Sequence, residues 1–188
     1  MRIPITIAMK PNAELPLPDD RTLAEAGARG MMNLIYSHLV RRNASSTRRA
    51  GMPKSDYWAD AADSMKVEAA GKVGVVTIDK EGAALHYYGG IVYPTGGRKA
   101  LAIPLAAEVA GMRPSEWSGF SHGDDADDDD ILQLFWPKNS SHGFLKHRDT
   151  GELLYLLISR ATIKADPSVL PDDAALQAAA EDAMGAIL

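Results

Sequence analysis

The chain has 188 residues, no cysteine, 46% apolar residues and a formal net charge of −5. That length suits one domain with a real core, and the missing thiols exclude a disulfide scaffold, a thiolate metal centre and a cysteine nucleophile, as fits a reducing cytoplasm. The acidic balance argues against a general nucleic-acid coat, and no apolar run approaches a membrane span.

Residues 1–18 read as an N-terminal arm. Ile3, Ile5 and Ile7 alternate like a short edge strand. Pro11, Pro16 and Pro18 then block helix and central strand alike. The apolar start resembles a secretory leader only faintly, because Pro4, Lys10, Pro11 and Asn12 interrupt it before any cleavage site.

Thr22 opens a long helix, with Glu25 at capping-box spacing. Leu23, Gly27, Met31, Leu34, Ile35 and His38 make its apolar stripe. Arg21, Glu25, Arg29, Asn33, Ser37 and Arg41 face away, and Glu25 and Arg29 have i,i+4 spacing. The helix is expected to end near residues 41–43, where cations suit the carbonyl end.

Residues 43–55 contain Ser45, Ser46, Thr47, Gly51 and Pro53 and read as a mobile loop. Asp56 then starts a short helix carrying Tyr57, Trp58, Ala61, Ala62 and Met65. Val73, Val75 and Thr77 alternate with Val76 and Ile78, which predicts a strand. A short helix over 81–88 ends at Gly89-Gly90, a pair suited to a left-handed stop.

Residues 101–105 predict another strand. Residues 108–130 are loop-rich, with 121–130 a second mobile loop. Segments 131–136, 143–148 and 152–164 form an antiparallel meander, turned between its last two strands by Asp149-Thr150-Gly151. Asp172 or Asp173 starts a terminal helix with Leu176, Ala180 and Met184 inward. The sum is a single α+β domain over 19–188. An antiparallel sheet of four to five strands is flanked by a long N-terminal helix, short helices and a C-terminal helix.

One stretch stands out. His86-Tyr87-Tyr88-Gly89-Gly90 leads through Pro94 and Gly96-Gly97 to Arg98-Lys99 and the strand Leu101-Ala102-Ile103-Pro104. Its order is similar to that of tailed-phage virion morphogenesis proteins, the head–tail adaptor and tail-completion family that includes the Mu-like morphogenesis proteins. In that family an aromatic–Gly-Gly segment runs through a Pro-containing loop and a basic residue into a strand that closes on proline.

The likeness extends over about residues 20–188, as an order of short motifs. Arg42-Asn43, Arg48, Arg49 and Gly51 resemble the family's basic loop, and Asp56–Ser64 its aromatic-Ala helix. Val75–Gly82 resembles the strand before the Gly-Gly segment, and Gly151–Ile163 the last long strand. The acidic run at 121–130 departs from the pattern. What the resemblance implies is a structural virion protein without catalysis or cofactor. It would form a ring at the head–tail junction or tail end, contact other head or tail proteins, and be assembled in the host bacterial cytoplasm.

The residues themselves leave other classes open. His86 and His122, with the carboxylates of 124–130, suggest a hydrolase or metal-dependent enzyme, but no HExxH spacing occurs. These histidines, with His142 and His147 near turns, read first as solvated or packed side chains. Asp124, Asp125, Asp127, Asp128, Asp129 and Asp130 lack the EF-hand pattern. They read as a self-repelling loop, or as a patch for a neighbouring subunit. Arg41, Arg42, Arg48, Arg49 and Lys54 are the opposite patch. It reads as a solvated loop, as the acidic run's partner across an interface, or as a contact to DNA in a portal channel. The Gly89-Gly90 and Gly96-Gly97 pairs serve turns and do not make a phosphate loop, since no GxxxxGK[ST] is present.

Overall fold

The computed structural model describes residues 3–8 (backbone only), 18–47, 51–117 and 132–188. The chain divides into two compact units where the sequence pattern reads as one domain. The first comprises Met1–Ser46, Ser55–Gly90 and Lys164–Leu188; the second comprises Thr47–Lys54 and Ile91–Ile163. The class is mixed α+β, with a long N-terminal helix, short helices, a C-terminal helix and antiparallel sheets.

The first unit is built around α1 (Asp20–Ser45). Its cap is Asp19, whose side chain accepts from the Thr22 amide at 2.7 Å. Thr22 therefore lies inside the first turn and no capping box with Glu25 forms. Glu25 is engaged elsewhere, accepting from Arg29 Nε and Nη2 at 3.1 and 2.6 Å. The helix also runs further than its sequence suggests, so residues 43–45 are helical and not loop.

β1 (Ile3–Ala8), β2 (Met65–Ala70) and β3 (Val73–Ile78) form an antiparallel sheet in the order β1-β3-β2. Ile3 and Met65 both stand opposite Ile78. The arm's alternating isoleucines thus pair within the chain, while residues 9–17 lie outside the described segments. β2 was not expected: Met65 opens a strand and does not close the preceding helix, α2 (Tyr57–Asp63).

α4 (Asp173–Gly185) packs on α1 as well, capped by Asp172, which accepts from the Ala175 amide at 2.8 Å. With sheet and helix both against it, α1 buries a wider stripe than expected. Ala24, Gly27, Ala28, Met31, Ile35 and Leu39 are buried, while Leu23, Leu34 and His38 are only partly so. The core continues through Ala61, Ala62, Val76, Ile78, Val169 and Leu176. α3 (Ala83–Tyr88) completes the unit. Gly89 ends it at φ 73° and ψ 174°, extended in ψ and not left-handed helical.

In the second unit β4 (Gly90–Val92) pairs with β9 (Ala161–Ile163). β5 (Leu101–Pro104), β6 (Leu132–Phe135), β7 (Gly143–His147) and β8 (Leu153–Ile158) form an antiparallel sheet in the order β5-β8-β7-β6. The meander is as expected, except that its last segment breaks at Ser159-Arg160 into β8 and β9. β8 shows no polar–apolar alternation, since its six residues are all apolar or aromatic. A bulge between Leu145 and Lys146 lets both Leu154 and Tyr155 turn inward. They pack with Val109, Leu132 and Leu145 as this unit's core.

Candidate functional site

Two features of the described residues are candidates: a polar–aromatic cluster in the first unit and an apolar sheet face in the second.

The cluster centres on Arg42, which the sequence places among the interface cations. Its guanidinium is half-buried and forms an ion pair with Asp166. Nη1 donates to the Ser168 carbonyl and hydroxyl oxygens at 3.3 and 3.2 Å. The cation lies 4.9 Å above the Trp58 ring. Trp58 in turn meets Tyr57 edge-on at 4.9 Å, and His86 stands 5.2 Å from Trp58 and 5.3 Å from Tyr57. Asp166 accepts from the Ser168 amide and hydroxyl at 3.1 and 2.5 Å, and its own amide donates to the His86 carbonyl at 3.0 Å. His38 Nε2 lies 2.9 Å from the Ser168 carbonyl. This clasp ties α1, α2, α3 and the 3₁₀ turn Pro167–Val169 together. Nothing in it presents an activated nucleophile, because Ser168 donates to a carboxylate already held by Arg42.

Two shifts follow from the geometry. The Ser168 and Arg42 hydrogen bonds hold the Asp166 carboxyl below its usual value. Burial, helped by the Arg42 charge and opposed by Asp166, pushes His86 down. A lowered histidine pKa means that the unfolded chain binds the proton more readily. Stability is then full above about pH 6.5, the unfolded value, and falls as the pH drops from there toward the lowered folded value. Thermal melts between pH 7.5 and 5 are expected to show this loss, and His86→Phe to flatten it. A wild-type midpoint that does not change over that range would contradict the packing of His86.

The remaining expected site residues are scattered. Arg41 is exposed on α1, and Lys54 is exposed with an interaction partner. Arg48, Arg49, His122 and the run Asp124, Asp125, Asp127, Asp128, Asp129 and Asp130 lie outside the described residues. His142 Nδ1 is 3.1 Å from the Ser141 hydroxyl, and His147 Nδ1 accepts from the amides of Asp149 and Thr150 in the turn. Among the described residues no three His, Asp or Glu are placed to hold a metal ion. Asp56 does not cap α2 with its side chain but accepts from Asn43 Nδ2 at 3.2 Å, and Asn43 is buried.

The sheet face was not foreseen. Register places Ile103, Leu156, Phe144 and Phe135 in one row across all four strands. Leu101 and Ile158 pair on the same face, and so does Leu153 beside Lys146. The opposite face carries Leu145, Tyr155 and Leu132 into the core. None of the row belongs to either buried core, and Phe135 and Leu153 are exposed. Phe135 and Phe144 stack at 6.4 Å, with Lys146 Nζ 5.5 Å from the Phe135 ring. The signal was in the sequence: an unbroken apolar run such as 153–158 marks a strand with apolar side chains on both faces.

No family model, curated protein or solved structure matches this chain.

Proposed function

We propose that this chain is a structural subunit of a tailed-phage or prophage virion, acting as a ring-forming adaptor or completion protein at the head–tail junction or tail end, without catalysis. The observation that carries the reading is the apolar row Ile103–Leu156–Phe144–Phe135 outside both cores. Phe135 at its edge is exposed, while Ile103, Leu156 and Phe144 are partly buried; contiguous apolar surface left in contact with water marks an interaction site. The stretch that resembles the morphogenesis family supplies more of it, since Tyr88, Ile91 and Tyr93 are each about half exposed, at 57%, 47% and 55%. Self-association through such surfaces requires no reacting group, only complementary shape and burial.

Size-exclusion chromatography with light scattering tests this. The expected result is a closed oligomer of the 20.2 kDa chain whose mass does not grow with concentration. Phe144→Ser with Leu156→Ser is expected to release monomers that keep their circular dichroism. A monomer at every concentration up to about 200 µM, well above the micromolar range in which ordinary interfaces hold, would overturn the ring. Stoichiometric zinc or manganese in the purified protein would favour the hydrolase reading instead.

A further inference from the structure

The strand directions of the second unit gather cations at one end of its four-stranded sheet. β5 begins, β6 ends, β7 begins and β8 ends at one end of the sheet. Arg98 and Lys99 precede β5, Lys138 follows β6 and Arg160 follows β8, so four cations gather at that end. All four are exposed, and none takes part in an ion pair among the described residues. The unit's described carboxylates are elsewhere. Asp149 and Glu152 flank the β7–β8 turn at the opposite end, in company with Lys146 and Arg148. Glu108 and Glu116 lie in the segment after β5, Glu116 just before Trp117, whose ring meets His147 at that opposite end.

Trp136 stands among the cations, directly after β6 and 51% exposed. It is held rigidly. Its ring packs on the Gly143 backbone, so closely that a Cβ there would lie 2.2 Å from Cε3. Its Nε1 donates to the Ser140 carbonyl at 2.9 Å. The Cε3–Cζ3 side of the ring is therefore closed by the glycine while about half of the residue stays open.

We propose that this sheet end binds a nucleic-acid strand, with Arg98, Lys99, Lys138 and Arg160 on its phosphates and an unpaired base stacked on Trp136. Cations without interspersed carboxylates, beside a fixed aromatic platform, are what single-strand binding sites combine. The four strands spread these cations over about 15 Å, given 4.7–4.9 Å between neighbours. A polynucleotide offers phosphates throughout such a span. An acidic protein surface, that of a second copy included, is the less favoured occupant. Lys99 and Lys138 are of the type depleted from protein–protein interfaces, and four unpaired cations together suit nucleic-acid interfaces, which are strongly positive. The binding is independent of the ring and adds a ligand to the second unit.

The test is fluorescence anisotropy of the whole protein with a labelled 20-nucleotide single strand and the matching duplex. Four phosphate contacts predict that raising salt from 50 to 200 mM weakens single-strand binding about 50-fold. Replacing Arg98, Lys99, Lys138 and Arg160 together by Gln is expected to abolish binding, with the melting temperature kept. Trp136→Ala is expected to weaken it about tenfold and Trp136→Phe less, because base–aromatic stacking supplies part of the affinity. Protein tryptophan fluorescence should be quenched on binding, and Trp136→Phe should remove that quenching. The proposal is overturned by absence of saturable binding at 20 mM salt. It is equally overturned if the four-Gln variant binds as well as wild type, if Arg48→Gln with Arg49→Gln alone abolishes binding, or if the four-Gln change dissolves a self-assembly that binds no strand. The last result would assign the patch to a second copy and leave the ring standing.

Discussion

Gly30→Ala is expected to destabilise the protein strongly, while Gly27→Ala, on the same helix face three residues earlier, is expected to be neutral or stabilising. Both changes gain helix propensity, about 1 kcal/mol for alanine over glycine. They differ in what the new methyl meets. At Gly30 it would lie 2.3 Å from the Ala179 carbonyl oxygen and 2.6 Å from the Ala183 Cβ. The carbonyl is helix backbone and cannot swing aside, so α1 and α4 must separate. Overpacking of this kind costs about 1–3 kcal/mol and occasionally more, enough to outweigh the propensity gain. At Gly27 the nearest atom is Met184 Sδ at 3.4 Å, an ordinary contact with a flexible side chain. Urea unfolding of both variants against wild type decides the matter. Equal midpoints for Gly30→Ala and Gly27→Ala would mean that the two helices do not approach this closely.

Arg42→Ala is expected to loosen the first unit by about 2 kcal/mol, taking the usual worth of hydrogen bonds to a charged group. The loss is shared between the Ser168 contacts, the Asp166 pair and the Trp58 face. Asp166 is partly exposed, so its pair alone contributes little and water takes over when the cation is gone. Arg42→Lys is expected to recover less than half, because a lysine ammonium cannot reach both Ser168 oxygens and the carboxylate while lying flat on an indole. Removing Arg42 also takes away a charge that opposes protonation of His86. The folded-state value then moves back toward the unfolded one, so the acid-side loss of stability should shrink. NMR titration of the His86 ring, with thermal melts of the three proteins, separates these effects. An Arg42→Ala protein as stable as wild type would return Arg42 to the class of free surface cations.

Of the expected interface cations in segment 41–54, Arg42 is engaged within its own unit by Asp166, Ser168 and the Trp58 ring. Of the cations foreseen there, Arg41 is exposed on α1 and Lys54 is exposed but partnered. The basic sheet end at Arg98, Lys99, Lys138 and Arg160 is assembled from segments that are distant in sequence.

What the sequence determined by itself is whatever rests on local periodicity and local hydrogen bonding. The helix through Met31 and Ile35, the strand Val73–Ile78, the meander with its Asp149-Thr150-Gly151 turn and the Asp172-capped terminal helix were all legible that way. Each of these signals is contained within a few residues. Other features required the folded chain. Ala24 and Ala28 displaced Leu23 and Leu34 as buried positions because a sheet and a second helix approach α1 from two sides. β2 and β4 are strands because they found partners in β3 and β9, and their own patterns do not announce it. Arg42 met Asp166 and Ser168 across most of the chain's length, a pairing no motif spacing encodes. The division into two units, the apolar sheet face and the gathering of cations at one sheet end depend on strand order and direction. Those are set by long-range burial of apolar area, which is non-directional and leaves no local mark in the sequence.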